Sequence, residues 1–361
     1  MKSLLTFKQK VKTLRHLHRG ATMLLGKKRS QEATLKKLRA LRDNYKWDVL
    51  IEVLPTAIPD CRDDDNFTLR DIGKDFARDL RMSTEKPANI LIVRSSGWRE
   101  SSLLIGRHYR WADIVVVWMR CNAIAHDKNV HLAAASDVYF PAHGFDVDYL
   151  QSTPAIFGGV VPVCSDQWSI RQARLFFEQH GDMLRSDKLY GGFMEYVGVG
   201  EEREELIRAC EQQLDTVLEL RPSSADDRYM NLSAEGRFKD WCSHKVSLAL
   251  PAKRDVACRL FDALLTGQVP IIPRDVHCLD QVISPELQEA LPIVTFDEYS
   301  VQSVGSALKQ ALNIFDRDGQ EGIMRRHRYA IENHMPIHRV QSMMSTLRTF
   351  AEGEVPGGRG F

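Results

Sequence analysis

Missing features narrow this chain before any present one does. Its seven cysteines (Cys61, Cys121, Cys164, Cys210, Cys242, Cys258 and Cys278) are odd in number, scattered and never spaced C-x-x-C. That argues against a disulfide framework and a zinc site, and leaves reduced thiols as the expectation. No apolar run approaches the roughly 20 residues that span a bilayer. The strongest, Ile114–Met119, has the length of a strand. Lys8, Lys10 and Lys12 interrupt any apolar stretch near the N-terminus, against a secretory signal, so a cytoplasmic location is expected. There is no G-x-S-x-G or Walker loop, and Gly198-Val-Gly200 is too short for a dinucleotide fingerprint. The twelve histidines include no H-x-x-x-H joined to an acid in a metal motif, so neither a metal nor a bound cofactor is expected.

What is present describes a globular protein. The 361 residues are 43% hydrophobic and 27% charged, enough for one large core or two medium ones. The net charge of +1 hides an asymmetry: residues 1–46 carry 14 Lys/Arg against 2 Asp/Glu, or +12, which leaves −11 on the remainder. Leu4, Leu5, Phe7 and Val11, then Leu14, Leu17, Met23 and Leu24, recur at helical steps among those cations, and Leu35, Leu38 and Leu41 continue the period. Two readings of this basic amphipathic segment stand: a helical pair packed on the acidic body, or an anchor on an anionic membrane surface. Nucleic acid is not an expected partner, because no aromatic residues interleave with the cations.

From Trp47 onward strands alternate with helices. Apolar runs at WDVLIEVLP, NILIVRSS (89–96), ADIVVVWM (112–119), SDVYFPAHGFD (136–146) and VVPVCSD (160–166) read as five strands. Leu69–Met82 and Trp98–His108 read as helices between them. The alternation restarts with YGGFMEYVG (190–198), the helix EEREELIRACEQQLDTVLEL, VSLALPA, a helix over 255–266, VPIIP and LPIVTFD (291–297). Near-continuous Val/Ile strands between helices predict α/β architecture with parallel sheets. The expected division is a basic segment 1–46, a first Rossmann-like domain 47–175, a second 176–300, and C-terminal helices with a flexible tail over 301–361. Two such domains are expected to face a cleft.

One stretch, KVSLALPAKRDVACRLFDALLTGQVPIIPRDV (245–276), concentrates charge where a strand ends and a helix begins. The strand must stop at Pro251, Asp255 can cap a helix from Val256, and Gly267 fits the position just past its end. The loop therefore lies at a strand's carboxyl end, where ligands of open parallel sheets bind, and at a helix amino end, which favours an anion. Lys253, Arg254 and Arg259 are the candidate cations for a diphosphate, and Asp262 lies within reach of a sugar hydroxyl at its far end.

The run R-L-F-D-A-L-L-T-G-Q-V-P-I-I (259–272) resembles the donor-domain segment of GT-B glycosyltransferases, most like the exostosin-type family and second like the fucosyltransferases. Arg259, Phe261, Asp262, Ala263, Gly267 and Pro270 occupy the family's pattern, and L-A-L-P-A-K-R-D resembles its strand–Pro–basic–Asp opening. K-L-Y-G-G-F-M-E-Y-V-G…E-E-R-E-E-L-I (188–207) is similar to the opening strand and helix of that domain, which carries over Gly198 and Arg203. The likeness covers residues 188–297. Arg254 stands where the first Glu of the Glu-rich donor motif of many retaining families would fall, and Asp262 stands at the second.

The resemblance implies metal-independent transfer of a sugar from a nucleotide sugar, UDP- or GDP-linked, to a glycan, glycolipid or protein acceptor. It makes Arg254 and Arg259, with Lys253 in reserve, the groups that stabilise the leaving diphosphate. An inverting enzyme also needs a general base on the first domain. His143 in P-A-H-G-F-D is the leading candidate because its pKa lies near working pH. Glu52, the acids Asp60, Asp63, Asp64 and Asp65, and Arg94 and Glu100 also flank strand ends. The alternatives are a nucleotide-sugar epimerase on the same frame and a non-catalytic sugar-nucleotide-binding scaffold. Donor base, sugar, acceptor and stereochemistry stay open.

Overall fold

β-branched runs such as ILIVR and IVVVWM cannot expose either face to water, so they form strands buried on both sides. The computed structural model describes residues 30–44, 46–51, 67–71, 88–94, 112–119, 126–144, 147–196, 200–221 and 231–354. These divide into two compact units, the first holding the described residues up to Val161 together with 342–354, the second Pro162–Gln341.

In the first unit a helix over residues 30–41 (α1) precedes β1 (Trp47–Ile51), β2 (Phe67–Asp71), β3 (Ile90–Arg94), β4 (Ile114–Met119), α2 (His126–Ala134), β5 (Val138–Pro141) and β6 (Ile156–Phe157). All pairings are parallel and the order is β2-β1-β3-β4-β5-β6. Every residue of β3 and β4 is buried. Two expectations change here. Residues 69–71, expected to open the helix Leu69–Met82, belong instead to β2 (Phe67–Asp71), and the rest of that segment and Trp98–His108 lie outside the described residues. Residues 160–166 form neither strand nor helix, and the last strand is β6 instead. The described part of the basic segment packs on its own body: Leu38 is buried, Thr34 Oγ1 donates to Asp137 Oδ1 (3.0 Å), and Lys37 pairs with the same oxygen (3.1 Å). The rest, residues 1–29, lies outside the described residues.

The second unit runs α3 (Ile170–His180), β7 (Ser186–Met194), α4 (Glu201–Gln213), β8 (Thr216–Arg221), α5 (Ala234–Cys242), β9 (His244–Leu248), α6 (Cys258–Leu265), β10 (Val269–Pro273), α7 (Leu279–Val282), α8 (Pro285–Ala290), β11 (Val294–Phe296), α9 (Val301–Asn333) and α10 (Pro336–Glu352), of which α10 continues into the first unit's residues. Its sheet is also parallel, in the order β8-β7-β9-β10-β11. Leu189, Phe193, Val246 and Leu248 turn one face toward Leu206 and Ile207 of α4 and Val304 of α9. On the other face Tyr190 meets Trp241 of α5, so the sheet is covered on both sides.

The division falls at Val161/Pro162, earlier than the expected 175/176, because the segment after it bonds within the second unit. Ser165 N–H donates to His334 O (3.1 Å), and Arg339 donates to Pro162 O and Val163 O. Residues 301–341 pack into that unit too, rather than forming a separate appendage.

Candidate functional site

Strand order locates the site. In each sheet the first strand of the unit is flanked by its second and third, so successive connections leave in opposite directions there. In the second unit this switch point lies between β7 and β9, and a crevice opens at their carboxyl ends. Arg203 fills its floor. Its Nη1 donates to Met194 O (3.1 Å) at the end of β7 and its Nε to Leu250 O (3.5 Å) just past β9. Arg203 is 5% exposed, and burial, then the neighbouring Arg259, lowers its pKa.

Arg259, in the first turn of α6, reaches the same point. Its guanidinium carbon lies 5.7 Å from the centre of the Phe193 ring, over which Arg203 also sits at 5.1 Å. Two cations on one phenyl ring leave a strongly positive locus, where Asp255 and Glu204 act on Arg203 and Asp262 on Arg259.

The helix ends beside the crevice differ. α4 starts at Gly200 with Glu201, Glu202 and Glu204 in its first turn, and Glu204 Oε1 accepts from Tyr196 N–H (3.1 Å). Its own carboxylates already meet the positive end of the dipole. α6 has no acid in its first turn and no side-chain cap on Ala257. Of the two, α6 is therefore the end that offers backbone N–H groups to an external anion. Gly200 brings the two together: its φ is +83° and a Cβ there would lie 3.1 Å from Ala252 O of the β9–α6 loop.

Lys253 is half-buried in that loop, and its N–H donates to Asp255 Oδ1 (3.1 Å). Asp255 does not cap the helix, which starts later than expected, at Cys258; its carboxylate folds back to pin the loop instead. Arg254 is exposed and pairs with Asp275 (3.0 Å), while His277 N–H donates to Arg254 O (2.8 Å), tying this loop to the one after β10.

Asp262 does not face a ligand. It is 2% exposed and accepts from Ser165 Oγ (2.6 Å) and Gln167 Nε2 (2.7 Å), and burial pushes its pKa up to about 6. Helical spacing puts it on the Arg259 side of α6, but the segment 165–167 occupies the space it was expected to share with a sugar. Gly198 lies outside the described residues.

In the first unit His143 follows β5 and is 1% exposed. The preceding Ala142 N–H is held by Met119 O (3.0 Å) at the end of β4. An enclosed ring is not presented to an acceptor hydroxyl, so the general-base expectation is not met in this arrangement. Arg94 ends β3, next to that sheet's own switch point, and is buried; Glu52, Glu100 and the acids at 60–65 lie outside the described residues.

Two residues at the site were not foreseen. Tyr299, just after β11, is pushed up to about 12 by burial and by the nearby Asp275 and Glu202, against Arg254 and Arg203. Asp275 ends the β10 side of the crevice. Neither stands in a motif; only the parallel order of β9, β10 and β11 brings them to the loop. Among the described residues no group of three His, Cys, Asp or Glu is placed to hold a metal, and no helix is long and apolar enough to cross a membrane.

Fold and site define the chain as a two-unit, doubly wound α/β protein with an arginine-lined crevice at a switch point. No family model matches it, and no curated protein does. Solved structures similar to it include the catalytic domain of starch synthase IV from Arabidopsis thaliana bound to ADP and acarbose, 10% identical, TM-score 0.45, covering 76% of this chain and 75% of that one. Sucrose-phosphate synthase from Thermosynechococcus elongatus is 11% identical, TM-score 0.45, covering 85% and 89%. An α1,3-fucosyltransferase is 8% identical, TM-score 0.40, covering 84% and 90%.

Proposed function

We propose that the chain is a glycosyltransferase that binds a nucleotide sugar by its diphosphate at the β7–β9 switch point and transfers the sugar to a hydroxyl of a glycan or glycolipid. The convergence of Arg203 and Arg259 on Phe193, beside the uncapped start of α6, carries this reading. A leaving diphosphate gains negative charge as the glycosidic bond breaks, and fixed cations with helix N–H groups are preorganised for that charge. Charge-assisted hydrogen bonds contribute roughly 1.5–3 kcal/mol each. Three or four bring a diphosphate near the ~8 kcal/mol of micromolar binding without a metal ion. The exostosin-like run around Arg259 supports a sugar-nucleotide ligand over other phosphates, and a UDP- or GDP-linked donor is the one we favour.

Thermal melting in the presence of UDP, GDP, CMP and dTDP tests the reading. The matching nucleotide at 100 times its Kd stabilises by about 2.7 kcal/mol, and Arg259→Ala abolishes that shift. Nucleotide-sugar consumption that requires an added glycan then separates an enzyme from a passive binder. If none of the four nucleotides moves the melting point, the proposal fails.

A further inference from the structure

A second cationic locus lies at the other end of the same sheet, below the amino ends of β7, β9 and β10. Arg326 of α9 is wholly buried, and its Nε donates to Gly267 O (3.0 Å). Arg185 is also buried; its Nη2 donates to Thr266 O (2.9 Å) and Gly181 O (3.1 Å), and its Nη1 to His244 O (3.3 Å). The two guanidiniums thus dock on consecutive peptide carbonyls, and both face the Phe315 ring, at 5.6 and 5.5 Å.

The charges around them do not balance. Lys245, the third cation on that ring, is matched by Asp187 and Asp316 at 2.7 Å each. Among the described residues Arg185 has no carboxylate within ion-pair distance; the neighbour that offsets its burial is the Cys242 thiol, itself pushed up to about 12 by burial. Arg326 has only Asp318, whose Oδ2 is 3.6 Å from Nη1, too long for a hydrogen bond. Asp318 is moreover shared with the exposed Arg317 (2.9 Å) and Arg325 (3.3 Å). Three buried nitrogens, Nη1 and Nη2 of Arg326 and Nε of Arg185, donate to no hydrogen-bond acceptor among the described residues. Native interiors rarely leave such donors unmet. Burial lowers the Arg326 pKa to about 10; Asp318 opposes that shift, while Arg185 and Arg325 add repulsion.

We infer that this locus binds a small monovalent inorganic anion, of halide size, between Arg326 and Arg185. A spherical monovalent ion suits it better than phosphate: the surrounding carbonyls and Asp318 would repel a dianion, and a halide accepts N–H groups from any direction. The site would brace the carboxyl end of α6, because Thr266 and Gly267 close the helix whose first turn carries Arg259. The inference is independent of the nucleotide-sugar reading.

Melting the full chain while sodium chloride replaces sodium gluconate at constant ionic strength tests it. The expected result is a saturable rise in Tm of about 3 °C, retained by Arg259→Ala whatever becomes of nucleotide binding and lost in Arg326→Leu. Should Arg326→Leu fail to fold, bromide-soaked crystals of the unsubstituted chain decide. An anomalous peak in contact with the Arg326 Nη atoms supports the site. Equal melting in the two salts, or a water and no peak at that position, overturns it.

Discussion

Arg254 and Arg203 bring the same charge to the same crevice, yet their burial sets opposite consequences for replacement. Arg254 has a 65% exposed side chain and an ion pair with Asp275, the kind of contact worth about 0–1 kcal/mol. Arg203 is buried, and truncating it leaves two strand-end carbonyls without their donor, a loss of about 2–3 kcal/mol. Arg254→Ala is therefore expected to keep its urea midpoint, while Arg203→Ala lowers it and also loses the nucleotide-dependent shift. Equal midpoints for the two variants would contradict the assignment of Arg203 as the crevice floor. Sequence put Arg254 ahead of Arg203, because burial and the carbonyls that each side chain reaches are not legible in it. The same limit explains Asp262. Helical spacing put it on the ligand side of α6, whereas what fills that side, Ser165 and Gln167, comes from about a hundred residues away.

At the scale of elements, legibility follows how local the signal is. β10 coincides with VPIIP, and β3 and β4 lie within their predicted runs, because continuous apolar residues bounded by breakers have one solution. β8 was absorbed into the helix before it: Leu214 and Leu218 keep the helical step, and only pairing with β7 shows that Thr216–Arg221 is extended. The end of α6 was legible from glycine. Gly267 has φ +79°, and a Cβ there would lie 2.6 Å from Ile323 Cγ2 and 3.1 Å from Ile323 O. Gly267→Ala combines left-handed strain with a clash against backbone that cannot swing away, and is expected to cost about 2–4 kcal/mol. Gly305→Ala, where the nearest atom is a Leu214 methyl at 3.4 Å, is the control and should be near neutral or stabilising. Urea unfolding of the pair checks this, and a Gly267→Ala midpoint matching the control would refute it.

At the scale of the molecule, the buried carboxyl and imidazole groups with large shifts among the described residues gather in the second unit, and they oppose one another. His327 is lowered to about 4 and His334 to about 2, chiefly by burial, and His244 and His338 shift the same way. An imidazole held neutral in the fold loses stability as pH falls below its unfolded pKa, near 6.5. Between pH 7 and pH 5 that loss is about 2 kcal/mol for each of His327 and His334. Asp262 works in the other direction. Its folded pKa is raised, so its destabilising ionisation fades as pH drops through about 6 and returns roughly 1 kcal/mol over the same interval. The histidines win by about 2–3 kcal/mol, enough to weaken a domain whose total stability is on the order of 5–15 kcal/mol. Amide hydrogen exchange at the two pH values, corrected for intrinsic rates, should show β7, β9, β10 and α9 losing protection at pH 5 while β3 and β4 of the first unit keep theirs. Asp262→Asn, which removes the opposing carboxylate, should steepen the loss. Protection falling first in β3 and β4, or unchanged in the second unit, would show that these histidines do not control its stability.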